Sequence, residues 1–328
     1  MFVRIYKSGH LAHSTSIIII ALVLWAPSVF KYLPDTRMIY DAPFYELLNF
    51  IVGNSRFAVS IINLLLIISG GLLINYIVVG NEIDVKTSVL GLFFYVVLSL
   101  ANTSFAGSNR FLVVNVLLLL MLNQLYKIQK TDYALAPLYN ASLLAGTAAL
   151  FYLPILLLLP FIWITLLTLG VSRWREYVVA AIGLGLPLFF AFSYYYFFDL
   201  TDIFINSFHQ AFSVNFQIGD LNFFDLIILI LLAGIIVSAF FMQANSLYEK
   251  NIALRQKLII NLWMLVFMLL LAIFKLDDIK SILLISIPST IILSNVLNTT
   301  RKLKWIDLYI SLIVILIFTN QYSLFFDA

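Results

Sequence analysis

The sequence predicts an all-α, polytopic integral membrane protein with about eleven transmembrane helices. Hydrophobic residues make up 63% of the 328 residues and charged residues 11%, against roughly 25% charged in an ordinary globular chain. That is too little charge to cover a water-facing surface. The apolar residues also fall in blocks near the length of about 20 residues that a helix needs to cross a hydrocarbon core of roughly 30 Å. A transmembrane barrel would show short alternating segments instead, so helices are expected.

The N-terminus, MFVRIYKSGHLAHS followed by IIIIALVLWAPSVF, has the basic start and apolar stretch of a targeting segment. Trp25-Ala26-Pro27-Ser28 is a poor cleavage site because proline follows directly, so residues 14–30 are expected to be an uncleaved first span. Further blocks place spans at 57–78, 87–104, 110–126, 134–150, 152–170, 177–198, 223–243, 259–274, 280–297 and 305–320. The fifth and sixth abut at Tyr152-Leu153-Pro154, where proline removes a backbone donor; a tight hairpin and a pair of re-entrant halves both fit. The whole chain reads as a single membrane domain, 1–328, with an N-terminal part (1–200) and C-terminal helices (201–328) divided by a long loop at 199–222.

Orientation follows from Lys and Arg, which concentrate in short cytoplasmic loops. With the N-terminus inside, the inner segments hold Arg4, Lys7, Lys86, Lys127, Lys130, Arg173, Arg175, Lys250, Arg255, Lys257, Arg301, Lys302 and Lys304. The outer ones hold only Lys31, Arg37, Arg56, Arg110, Lys275 and Lys280. This excess predicts a cytoplasmic N-terminus and a periplasmic C-terminus, and makes 31–56 and 199–222 the two long outer loops.

Several chemistries are excluded at this stage. Cysteine is absent, which removes disulfides, thiolate catalysis and thiolate metal sites. The net charge of +3 is small and scattered, unlike a nucleic-acid footprint. No Walker A or dinucleotide fingerprint occurs, and the inner loops are short, so ATP hydrolysis by this chain is not expected. Spans lack acidic residues at mid-depth, which argues against a carboxylate proton relay.

The first outer loop reads KYLPDTRMIYDAPFYELLNFIVGNSR. Asp41 before Ala42-Pro43 suits a helix N-cap. The following residues place Phe44, Leu47, Leu48 and Ile51 on one face, with Asp41, Tyr45 and Asn49 on another and Glu46 at its edge. An amphipathic helix lying on the outer leaflet is therefore expected, with Asp35 and Arg37 just upstream. A partly desolvated carboxylate there could act as a general base, whereas capping and a solvated rim charge are the plain structural roles. Arg110, opening the fourth span, could receive a lipid phosphate or serve as a snorkelling anchor. The second long loop carries Asp199, Asp202, His209, Gln210, Asp220 and Asp225 among aromatics. That mixture suits sugar rings, and His209 could orient a phosphate; packing of the loop back on the bundle is the simpler reading. A lone histidine is a weak metal signal, and no metal site is expected. Asn63, Asn75, Asn115 and Asn123 are expected to hydrogen-bond between helices.

This layout resembles the GT-C glycosyltransferases, membrane enzymes that use polyprenyl-phosphate sugars. The features that carry the resemblance are the first span leading into a long outer loop with acidic residues, and the stretch YNASLLAGTAALFYLPILLLLPFIWITLLTLGVSRWREYVVAAIGLGLPLFFAF. The chain also resembles an uncharacterised family of bacterial inner-membrane proteins. The GT-C resemblance covers about the first two hundred residues. It implies transfer of a sugar such as mannose from a polyprenyl-phosphate donor to an acceptor on the outer face of the inner membrane. Asp41, Glu46 or Asp35 would then be the base, and Arg110, His209, Arg37 and Tyr45 the substrate contacts. No adjacent acidic pair and no outer soluble domain are present, which departs from that pattern. No bound cofactor is implied, since the donor is itself the lipid-linked sugar. Two other expectations stand beside it: a scaffold subunit binding envelope proteins through its outer loops, and a lipid or small-solute transporter, although no internal repeat is evident.

Overall fold

The computed structural model describes residues 6–7, 11–31, 42–44, 56–84, 88–102, 109–130, 134–213, 222–274, 278–300 and 304–326. Twelve α-helices are found among them: α1 (Leu11–Lys31), α2 (Arg56–Gly80), α3 (Leu90–Ser99), α4 (Asn109–Ile128), α5 (Leu135–Phe151), α6 (Leu159–Thr168), α7 (Trp174–Phe197), α8 (Thr201–Phe212), α9 (Phe223–Ser246), α10 (Ile252–Phe274), α11 (Ser286–Thr299) and α12 (Lys304–Phe326). Six apolar helical stretches are long enough to cross a membrane: 57–80, 110–128, 174–197, 223–249, 252–274 and 280–299. Five shorter apolar helical stretches occupy the remaining predicted segments. By helix length and hydropathy this is a multi-pass membrane protein.

Three 3-10 segments occur among the described residues; a short one, Leu247–Glu249, follows α9, and the two longer ones have a sequence cause. Tyr152 is extended (φ −152°, ψ 94°) ahead of Leu153–Leu158, where Pro154 supplies no backbone donor. The chain therefore reverses between α5 and α6: the free end of α6 lies near the connection from α4 to α5, with the Gln256 amide donating to Thr168 O at 3.0 Å and Gln129 donating to Gln256 Oε1 at 2.6 Å. The other long 3-10 segment, Ile279–Ile285, runs directly into α11, and its N-terminus is capped by Asp278, which accepts from the Lys280 amide at 3.3 Å.

Close packing comes from small residues, as expected where lipid offers no hydrophobic drive between helices. A Cβ on Gly146 of α5 would collide with Leu184 O and with the Pro187 ring of α7, and one on Gly183 would sit 2.8 Å from Ser142 Cβ. Gly70 of α2 makes room for the ring of Tyr95 in the same way. Helix α3 spans only 10 residues and every one of them is buried. It can be that short because α2, α11 and α1 surround it, so its ends need not reach water. The main apolar core draws on residues from Tyr6 to Ile317, and a second, smaller cluster lies apart from it.

The two ends of the bundle differ. At one end Lys7 donates to Asn298 O and Thr300 O, Lys257 to Asn81 O at 2.8 Å, Asn295 to Ile83 O at 2.6 Å, and Lys130 to Gly80 O at 3.4 Å. These long polar side chains close helix C-termini, whose last carbonyls lack intrahelical partners. The opposite end carries the Arg110–Asp278 ion pair and the buried pair in which Asn320 donates to Asp225 at 2.8 Å.

The second predicted outer loop, 199–222, contains a helix in its first half; residues 214–221 lie outside the described residues. Thr201–Phe212 turns Phe204, Ser207 and Ala211 inward and leaves Asp202 and His209 outward. Phe204 packs on Tyr195, Ala191 and Leu150, and Phe44 and Phe208 join the cluster. The first outer loop touches the same cluster: residues 42–44 form a turn, the Phe44 amide donates to Leu150 O at 3.1 Å, and the Tyr195 hydroxyl donates to Pro43 O at 2.9 Å. The rest of the amphipathic helix expected after Asp41 lies outside the described residues.

Candidate functional site

Between α9 and α10 the bundle opens into a groove of about 350 Å³. Its walls are apolar: Leu229, Ile236 and Phe240 come from α9, and Leu265 and Leu269 from α10. Small side chains help make room for it: Ala101 beyond α3 and Ser286 and Ser289 of α11 are buried beneath it, and Ala233 of α9 lines it as an exposed residue. Val237 and Phe241 at the rim are more than half exposed, so the groove opens on the side of the bundle that faces away from the core.

The floor is continuous with a polar network that crosses three helices. The Asn115 amide of α4 donates to Leu283 O at 3.2 Å and to Ser286 Oγ at 3.3 Å. It thereby bridges the 3-10 segment and α11, as expected for an asparagine between helices. The Tyr95 hydroxyl adjoins Asn115 and Ser99. The Ser289 hydroxyl of α11, by contrast, is buried without a hydrogen-bond partner. Unmatched buried polar atoms are uncommon and call for an explanation such as water or a ligand.

The ion pair lies at the far end of the same 3-10 segment. Arg110 is 5% exposed and pairs with Asp278, and its guanidinium lies 4.8 Å from the Phe111 ring centre and 5.9 Å from that of Tyr152. A buried guanidinium held by a carboxylate and two aromatic faces is an internal clamp. Sequence reading offered Arg110 a phosphate or a snorkelling role and did not weigh Asp278, because no spacing rule connects residues on two distant helices.

Of the other sequence candidates, His209 lies exposed on α8. Asp35, Arg37, Asp41, Tyr45 and Glu46 lie outside the described residues, although their neighbours Pro43 and Phe44 are fixed to α7 and α5. Among the described residues no cluster of three or more His, Asp or Glu could hold a metal ion. The groove was missed by sequence analysis. Its signal was the Ser286, Ser289, Thr290, Ser294 series in an otherwise apolar segment, which marks a helix that meets protein on all sides.

These features define a polytopic all-helical membrane protein with a lateral apolar groove and an internal polar network. Residues 30–325 match the family of unknown function DUF6427, and the chain belongs to that family. No glycosyltransferase family matches it. Neither a curated protein nor a solved structure matches the chain.

Proposed function

We propose that this protein binds a membrane lipid by taking its hydrocarbon chain into the groove between α9 and α10. The observation that carries this reading is a groove of about 350 Å³ with apolar walls above small buried side chains, open at the rim through exposed Val237 and Phe241. Small-molecule sites begin near 300 Å³ and combine apolar walls with a few polar groups. Filling the groove tests the reading. Ala233→Trp is expected to abolish co-purification of lipid seen by native mass spectrometry of the wild type; equal lipid retention by the folded variant would refute it.

Glycosyl transfer from a polyprenyl-phosphate sugar is a second reading, favoured by one observation. The turn at 42–44, next to Asp41, is tied to α5 and α7 by the Phe44 amide and the Tyr195 hydroxyl, so a base at Asp41 or Glu46 would be attached to a rigid support. In this reading Asp35 assists, Arg37, Tyr45 and His209 contact the donor, and Arg110 acts through Asp278 rather than by touching phosphate. Full transfer activity in both Asp41→Asn and Glu46→Gln would rule it out. We place the chain in a bacterial inner membrane with the Lys7 end cytoplasmic, because the end holding Lys7, Lys130 and Lys257 is the more basic one.

A further inference from the structure

We propose that the first turn of α7 binds a zwitterionic phospholipid headgroup, with the phosphate at Arg173 and the ammonium at Glu176. This is a second lipid site, apart from the groove, and it does not depend on the groove reading.

Glu176 is 5% exposed, and its Oε2 is enclosed without a hydrogen-bond partner. A glutamate at the third position of a helix commonly reaches back to the amide of the capping residue. Oε2 makes no such bond, and the capping residue, Arg173, is extended and supplies no side-chain cap of its own. Arg173 and Arg175 turn outward: both are exposed, and neither forms an ion pair among the described residues. An enclosed carboxylate is costly until a cation or a donor meets it. Asp307 is the satisfied case: it lies in the first turn of α12, as Glu176 does in α7, and the Lys7 ammonium feels its charge. Glu176 has no ion-pair partner among the described residues.

Level and charge narrow the ligand. The stretch 174–197 is long enough to cross a membrane, so its first turn lies at the headgroup level. Trp174, 71% exposed between the two arginines, suits that level, where amphipathic rings gather. Two guanidiniums and the first amides of α7, which have no intrahelical partner, favour a phosphate. A purely anionic headgroup would set its charge against Glu176, whereas one carrying a phosphate and an ammonium meets both. Arg173 and Glu176 are three positions apart, which puts their Cβ atoms about 5–6 Å from each other, near the reach of a two-carbon ethanolamine link. A primary ammonium has N–H donors for the Glu176 carboxylate; the trimethylammonium of choline has none. The lipid chains have a surface to lie on. Trp163 and Leu167 of α6 and Val178 and Ile182 of α7 are exposed apolar residues leading from this turn toward the membrane interior, and the Trp163 indole donates to Tyr177 O at 3.2 Å, joining the two helices.

The test presents the full chain in detergent micelles with an equimolar mixture of dioleoyl phosphatidylethanolamine, phosphatidylcholine and phosphatidylglycerol, and reads retained lipid by native mass spectrometry. Identical chains leave the headgroup as the only difference. Phosphatidylethanolamine is expected to be retained about tenfold over each of the others, the effect of one charge-assisted hydrogen bond. Glu176→Gln should bring that ratio close to one and raise retention of phosphatidylglycerol, because the opposing charge is gone. Arg173→Gln should lower retention of all three, which share the phosphate. The preference should persist in Ala233→Trp, where the groove is filled. Equal retention of the three lipids by the wild type, a preference for phosphatidylglycerol, or a preference unchanged in folded Glu176→Gln would overturn the site. Should Glu176→Gln fail to fold, the wild-type comparison decides alone. A preference lost in Ala233→Trp would belong to the groove, overturning the α7 site while leaving the groove reading in place.

Discussion

Arg110 and Asp278 are separated by 168 positions in the sequence, yet they form an ion pair that joins the first turn of α4 to the cap of the 3-10 segment leading into α11. Asp278 thus does two things: it holds a buried guanidinium and it accepts from the Lys280 amide. Replacing Arg110 by Met would leave a carboxylate in a poorly solvated place without its cation, a change that typically costs about 3 kcal/mol. Thermal unfolding in detergent should show Arg110→Met strongly destabilised. The double variant Arg110→Met, Asp278→Leu should recover most of the loss, since an apolar pair of similar volume is often neutral. Additive losses in the double variant would show that the two side chains are not coupled.

Much of this architecture was legible in the sequence, for a physical reason. Apolar block length sets helix passages independently of partners, so each of the predicted segments coincides with an apolar helical stretch. The break at Tyr152-Leu153-Pro154 was legible because proline acts locally. Asn115 was legible as an interhelical donor because an amide in hydrocarbon must find a partner. What depends on contacts between distant segments was not. Helix α8 within the second outer loop was not foreseen: its inward residues Phe204, Ser207 and Ala211 have helical spacing, but two of them are small and the apolar face is only complete once Phe44 and Tyr195 pack on it. The groove was invisible because a void is the shape left by neighbours, and the pairing of Arg110 with Asp278 carries no local signature.

The contact of α5 with α7 depends on two glycines. At Gly146 any side chain would be driven into the Leu184 carbonyl and the Pro187 ring, neither of which can yield without moving α7. Gly146→Leu is therefore expected to prevent stable folding, and Gly146→Ala to cost about 1–3 kcal/mol as an overpacked interface. Gly185, which has open space on the same helix, is the control: Gly185→Ala should be neutral or slightly stabilising, because alanine is the better helix former by about 1 kcal/mol. Equal melting temperatures for Gly146→Ala and Gly185→Ala would contradict the packing described.

Lys7 gives the fold a pH dependence outside the membrane spans. Burial lowers its pKa from 10.5, and the carboxylates of Asp84 and Asp307 oppose that shift without cancelling it. The sign follows from proton binding: between the lowered folded value and 10.5, the unfolded chain holds more protons at this site than the folded one, so stability due to Lys7 rises with pH. Below that window the ammonium is charged in both states and contributes no slope. In alkaline buffers approaching pH 10.5 the wild type should gain stability relative to Lys7→Met, read as a growing difference in melting temperature. A difference that shrinks with rising pH would mean that the lysine is stabilised as a cation, with the carboxylates outweighing burial.

The absence of cysteine makes the orientation directly measurable, since one introduced thiol is the only one in the chain. Asp202 is exposed on α8 at the Arg110 end, and Lys250 follows α9 at the end that also carries Lys7, Lys130 and Lys257. Basic residues resist translocation, so the Lys250 end should remain in the cytoplasm. A maleimide that cannot cross membranes is expected to label Asp202→Cys in intact cells with a permeable outer envelope, and Lys250→Cys only after lysis. The distribution of charge makes both halves of this outcome necessary: labelling of Lys250→Cys alone would invert the whole bundle, moving the turn at Pro43 and Phe44 to the cytoplasmic side. Glycosyl transfer on the outer face by Asp41 or Glu46 would then be excluded on topology. The lipid reading of the groove between α9 and α10 would survive, because a lateral opening toward hydrocarbon does not depend on which end is cytoplasmic.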